Sequence, residues 1–83
     1  MRQPLLQPKA MDARADAEGA PQAVRGKSGW VQVQSVLERW ELEDEWWTGE
    51  PVARAYFQLL LANGLVVTVF RDMRSGAWFR QQG

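Results

Sequence analysis

The sequence predicts an all-β fold: a small four-stranded antiparallel meander sheet with a disordered N-terminal arm. Three observations lead there. Trp30-Val31-Gln32-Val33-Gln34 alternates apolar and polar residues strictly, the period of a half-buried strand. Asn63-Gly64 sits between two apolar, β-prone runs, the strongest short-range mark of a hairpin. All nine aromatic residues (5 Trp, 3 Phe and 1 Tyr) fall between Trp30 and Phe79, so the core must come from that part of the 83-residue chain.

Residues 1–29 read as the arm and residues 30–83 as the small β domain. The arm holds three of the four prolines, no aromatic residue and a net charge of +2, against −2 for the rest. It shows neither a helical nor a strand period. A segment with so little apolar surface cannot offset its ordering entropy, which predicts disorder.

The first strand is expected near 36–43. Val36, Trp40 and Leu42 continue the alternation in the opposite parity to Trp30-Val31-Gln32, so a bulge or strand break is expected near Ser35 and Val36. A helix over 35–47 is the rival, but its apolar stripe fails at Glu43 and Asp44. Trp46, Trp47 and a turn at Thr48-Gly49-Glu50-Pro51 lead to the second strand, near 53–62.

Asn63-Gly64 read as a two-residue type I′ turn fixes the pairing with the third strand, near 65–72. Leu61 then faces Val66, Phe57 faces Phe70 and Tyr56 faces Arg71. The next turn, Asp72-Met73-Arg74-Ser75-Gly76, has Asp placed to bond its own backbone and Gly placed to close it. It leads to a fourth strand near 77–81, with Arg71 opposite Trp78 and Phe70 opposite Phe79. Phe57, Phe70 and Phe79 would form a core row across three strands. A core of this size is marginal, so something must cover the sheet: the 30–47 segment, a partner or a second copy.

The composition excludes much chemistry. Without Cys or His there is no disulfide, no thiol nucleophile, no thiolate or imidazole metal ligand and no imidazole base. Glu41, Glu43 and Glu45 of the one acidic cluster would share a strand face without curling round an ion. Ser28, Ser35 and Ser75 have no base to activate them, and the glycines form neither a P-loop nor a dinucleotide fingerprint. The expectation is a protein that is not an enzyme, with no catalytic residue, cofactor or metal. No apolar run nears the ~20 residues of a membrane span, and Leu5-Leu6 is too short for a signal-peptide core. A cytoplasmic protein is therefore expected, with no membrane partner.

In the type I′ register Arg54, Tyr56, Arg71 and Trp78 share the sheet face opposite the core. Arg, Tyr and Trp are the residues that dominate protein-protein contacts. They are also the composition of a single-strand nucleic-acid stacking platform, and of cation-π pairs that merely complete a fold. Trp46 and Trp47 point to opposite sides of an extended chain, which leaves one of them free for a partner. The binding residues expected are Trp46, Trp47, Arg54, Tyr56, Arg71 and Trp78. The net −2 of residues 30–83 disfavours nucleic acid, since phosphate binding needs a basic footprint. In the arm, Gln3-Pro4-Leu5-Leu6 faintly echoes the glutamine-plus-hydrophobic peptides that dock on sliding clamps, without their terminal aromatic.

Several segments together resemble a known family. They are Val36-Leu37-Glu38-Arg39-Trp40, Glu43-Asp44-Glu45-Trp46-Trp47, Ala53-Arg54-Ala55-Tyr56-Phe57, Val69-Phe70-Arg71-Asp72 and Ser75-Gly76-Ala77-Trp78-Phe79. Over about residues 30–82 they look like a small bacterial domain-of-unknown-function family. That family is similar to the C-terminal tail domain of ImuB-type proteins, the inactive Y-family polymerase homologues of the SOS mutasome. The resemblance implies a non-catalytic protein-interaction or adaptor module associated with DNA-damage tolerance by translesion synthesis. Its partner would be a polymerase-related subunit, an accessory protein or the clamp. It brings no catalytic residues with it. The alternatives are a single-stranded nucleic-acid-binding module using the same Arg/aromatic face, and a homodimer that buries this face against its own copy.

Overall fold

The computed structural model describes residues 8–44 and 52–81. Among these the chain forms seven strands: β1 (Lys9–Met11), β2 (Ala13–Ala15), β3 (Pro21–Gly26), β4 (Gly29–Asp44), β5 (Val52–Leu61), β6 (Val66–Asp72) and β7 (Trp78–Arg80). They make one antiparallel sheet in the order β1-β7-β6-β5-β4-β3-β2, curled into a half-barrel. All-β is right and four strands is not. The three additional strands come from residues 9–26, expected to be disordered, so the sheet draws on both sides of the boundary read at residue 29.

Composition misled here because β1 and β2 are built mostly from Ala, Lys and Arg, poor strand formers in isolation. Tertiary pairing overrides that preference. β1 pairs with β7 (Lys9 opposite Arg80, Met11 opposite Trp78) and β2 with β3 (Ala13 opposite Val24). Only Asp12 separates β1 from β2, so the two lateral edges of the sheet are halves of one run. Arg25 N–H donates to the Asp12 carbonyl at 2.9 Å and closes the junction. The β2–β3 turn is held by the Asp16 carboxylate, which accepts from the N–H groups of Glu18 (2.8 Å) and Ala20 (2.9 Å). That is an Asx turn, recognisable in a sequence by its Asp and following Gly.

β4 is the longest strand, and the strand reading of 35–47 holds over its described part. Its register with β5 shifts between Val33 and Ser35 and again between Val36 and Glu38, where the parity switch predicted a bulge. The Thr48-Gly49-Glu50-Pro51 turn lies outside the described residues.

The hairpin of β5 and β6 differs from expectation by one residue. Within this loop Gly64 takes a positive φ, 89°, and among the described residues no non-glycine residue does, so Asn63-Gly64 cannot be type I′. The loop is instead three residues, Ala62-Asn63-Gly64. Gly64 N–H donates to the Leu61 carbonyl at 2.9 Å and Leu61 N–H to the Leu65 carbonyl at 2.8 Å. Tyr56 consequently faces Phe70, Phe57 faces Val69 and Leu59 faces Val67. The hairpin of β6 and β7 keeps its expected register, with Arg71 opposite Trp78 and Phe70 opposite Phe79. Its turn also behaves as read: Arg74 N–H donates to the Asp72 carboxylate at 2.9 Å, and Gly76 has φ 81°.

A one-residue slip exchanges the faces of a strand. The core is therefore Val24, Phe57, Leu59, Leu61, Val67, Val69 and Trp78 on the inner face, with Met11, Ala13 and Val31 packed against it. The expected core row of Phe57, Phe70 and Phe79 does not form. Phe70 and Phe79 stack on the outer face, centroids 5.2 Å apart, while Phe57 packs inward against Trp78 at 5.9 Å.

Candidate functional site

The register of β4, β5, β6 and β7 lines up Trp40, Tyr56, Phe70 and Phe79 as direct cross-strand neighbours on the outer face. Trp40 and Tyr56 lie parallel, with planes 2° apart and centroids at 5.2 Å. Tyr56 meets Phe70 at 5.0 Å, and Phe70 meets Phe79 at 5.2 Å. Phe70 is only 2% exposed although it is not among the residues clustered in the inner core. Its roof includes Arg54, whose guanidinium carbon lies 4.5 Å above the Phe70 ring and whose Nη1 donates to the Tyr56 hydroxyl at 3.1 Å. At the free end of the row Trp40 stands 42% exposed, and Leu42, opposite Arg54 on the same face, is equally open.

The expected site residues separate accordingly. Arg54 and Tyr56 come together on the outer face. Arg71 and Trp78 are paired with each other on the inner face, one residue out of phase with Tyr56. Trp78 belongs to the core. Arg71 crosses its ring at 5.6 Å and donates from Nε to the Gly76 carbonyl at 3.2 Å, fastening the last turn. The common face expected for Arg54, Tyr56, Arg71 and Trp78 is corrected by the three-residue loop. Trp46, Trp47 and the Gln3-Pro4-Leu5-Leu6 segment lie outside the described residues.

A second feature adjoins the row. β4 is 16 residues long, but β3 pairs only with Gly29 to Gln32 at its start. Among the described residues no strand pairs with the other edge of β4 beyond Gln32. From Glu38 to Asp44 the strand runs in unbroken register along β5 with that second edge open. A strand edge of this kind presents N–H and C=O groups ready to pair with another chain. Where β3 leaves β4 there is a notch of about 530 Å³ between Arg14, Pro21, Gln34 and Val36. The open stretch carries Glu38, Glu41 and Glu43 against a single Arg39, which lies 5.3 Å over Phe57.

Sequence reasoning missed the aromatic row because the hairpin loop was read one residue short, which set Phe70 in the core row instead of beside Tyr56. It missed the open edge because β3 was not recognised as a strand. Pro21-Gln22-Ala23-Val24-Arg25-Gly26 offered no signal, since Pro, Ala and Gly are all depleted in strands.

Among the described residues no group of three or more acidic side chains converges to hold a metal ion, and no helix is long and apolar enough to cross a membrane. No family model, curated protein or solved structure matches this chain.

Proposed function

We propose that this protein is a non-catalytic interaction module that binds an extended segment of another protein by adding it as a strand to the open edge of β4. The observation that carries the reading is that edge: Glu38 to Asp44, regular on its β5 side, unpaired by any described strand on the other, and flanked by exposed Trp40 and Leu42. In strand addition the backbone supplies affinity and alternate side chains supply specificity. The ligand side chains would meet Trp40 and Leu42 on one face and Arg39, Glu41 and Glu43 on the other. Glu38, Glu41 and Glu43 against one arginine favour a ligand segment rich in Lys and Arg among apolar residues. The resemblance to ImuB-type tail domains adds the expectation that the partner works in translesion synthesis.

The test is an amide-resolved NMR titration with an extended peptide alternating Lys with Val or Leu. Saturable shifts confined to Glu38 to Asp44 and their β5 neighbours, weakened by Glu41→Lys with Glu43→Lys, support the reading. Shifts elsewhere, or none, overturn it. A concentration-dependent dimer that occludes the same amides would make a second copy the occupant.

The stack of Trp40, Tyr56, Phe70 and Phe79 with Arg54 above it favours one second reading, single-stranded nucleic acid stacked on the exposed Trp40 end. Oligothymidylate binding that weakens as salt rises, and is lost in Trp40→Ala, would select it over strand addition.

A further inference from the structure

The opposite end of the half-barrel carries a different surface. A basin of about 580 Å³ opens between the start of β1, the β3–β4 turn and the β5–β6 turn. Its floor is apolar: Met11, Val31 and the exposed Leu65 line it together with the core residues Leu61, Val67 and Val69. Its rim is basic, formed by Lys9, Arg25, Lys27 and Arg80, with Asp12 the sole acid among the lining residues. All four cations are exposed, and none makes an ion pair with a described residue.

Two of them face one another. Lys9 and Arg80 are direct partners across β1 and β7. Like charges in directly opposed positions destabilise a sheet. Neither needs to be a cation for β1 to pair with β7, because the ladder is made by the backbone. The chain as a whole is neutral, and its densest acidic run is at the far end of β4, so the basic rim is a local concentration rather than an overall excess.

We propose that this basin binds a single-chain amphipathic carboxylate, with its apolar tail on the floor and its carboxylate held between Lys9, Arg80 and the Arg25–Lys27 side. A concave apolar site with a few convergent polar groups is the usual form of a small-molecule pocket, and its volume lies within their common range of about 300–1,000 Å³. The carboxylate relieves the repulsion between Lys9 and Arg80, and the apolar floor explains why an inorganic anion alone would not suffice. The basin is distant in sequence from the β4 edge and independent of it.

The test uses decanoate below its micellar concentration, with decanol and phosphate as controls, followed by the methyl resonances of Val24, Val31 and Val67 and by calorimetry. Saturable binding of decanoate, with decanol and phosphate both much weaker, is the expected result. Lys9→Gln with Arg80→Gln, both exposed, should fold as the parent does and weaken decanoate by about tenfold, the loss of one good charge-assisted contact. A second variant, Arg25→Gln with Lys27→Gln, checks the other wall without touching β1. Equal binding of decanol and decanoate, undiminished binding in both variants, or binding only to vesicles of anionic phospholipid would each overturn the proposal.

Discussion

Trp40 and Tyr56 face each other across β4 and β5 with their rings 2° from parallel, and this pair joins the buried aromatic row to the protein surface. Trp40→Ala removes the outer member of the row and should lower stability by about 0.5–1.5 kcal/mol beyond the area lost. Tyr56→Phe keeps the stack and removes only the hydroxyl that accepts from Arg54, at a cost of about 0.5–1.5 kcal/mol. Urea unfolding of the two variants separates stacking from hydrogen bonding.

Leu59 and Leu65 are the same residue type at opposite extremes of burial, 0% and 56% exposed. Leu59→Ala should cost about 2–5 kcal/mol, since it opens a cavity in the inner core. Leu65→Ala should change stability by no more than about 0.5 kcal/mol. Denaturation midpoints at constant m-value test the assignment of the inner face directly.

Gly64 has open space where a Cβ would stand, so Gly64→Ala is a purely conformational substitution. At φ 89° it should cost about 1–2 kcal/mol, with no steric contribution. A negligible effect in thermal unfolding would mean that the β5–β6 loop is not the three-residue form, and the outer row would lose its register.

Deleting residues 1–15 removes β1 and β2 and uncovers the free sides of β7 and β3. The truncated chain should lose cooperative unfolding and amide dispersion, because Met11 and Ala13 leave the core packing and two edges open at once. Retention of a sharp unfolding transition would restore the view of this segment as a dispensable arm. Arg14→Ala is the milder form of the same experiment. It removes the guanidinium 4.3 Å above Trp30 and should cost about 0.5–1 kcal/mol, read through Trp fluorescence.

Local pattern carried part of this fold. The alternation around Val36, the bulge beside it and the Asp72 to Gly76 turn are visible because each depends on a few adjacent residues. The β5–β6 register was not, since Asn-Gly serves both a two-residue and a three-residue loop and only the backbone at Asn63 distinguishes them. That single residue moved Phe70 outward and Trp78 into the core beside Phe57, and with it the pairing of the expected contact residues. β1 and β2 were illegible for a different reason: their strand state is imposed by β7 and β3, and nothing in Lys9-Ala10-Met11 announces such partners. Of the candidate site, Arg54 and Tyr56 were readable as neighbours, but the open edge of β4 depends on where β3 stops.

The junction at Asp12 also dictates when the fold can be completed. Lys9 can meet its partner Arg80 only once residue 80 has been made, so during synthesis β1 waits for β7 while β2 can already pair with β3. Pairings of such long sequence separation slow folding, because the closure entropy of the loop is spent before the contact forms. The consecutive pairs from β2–β3 to β6–β7 need no such closure, so the free side of β7 is the one that waits for the N-terminal segment to return.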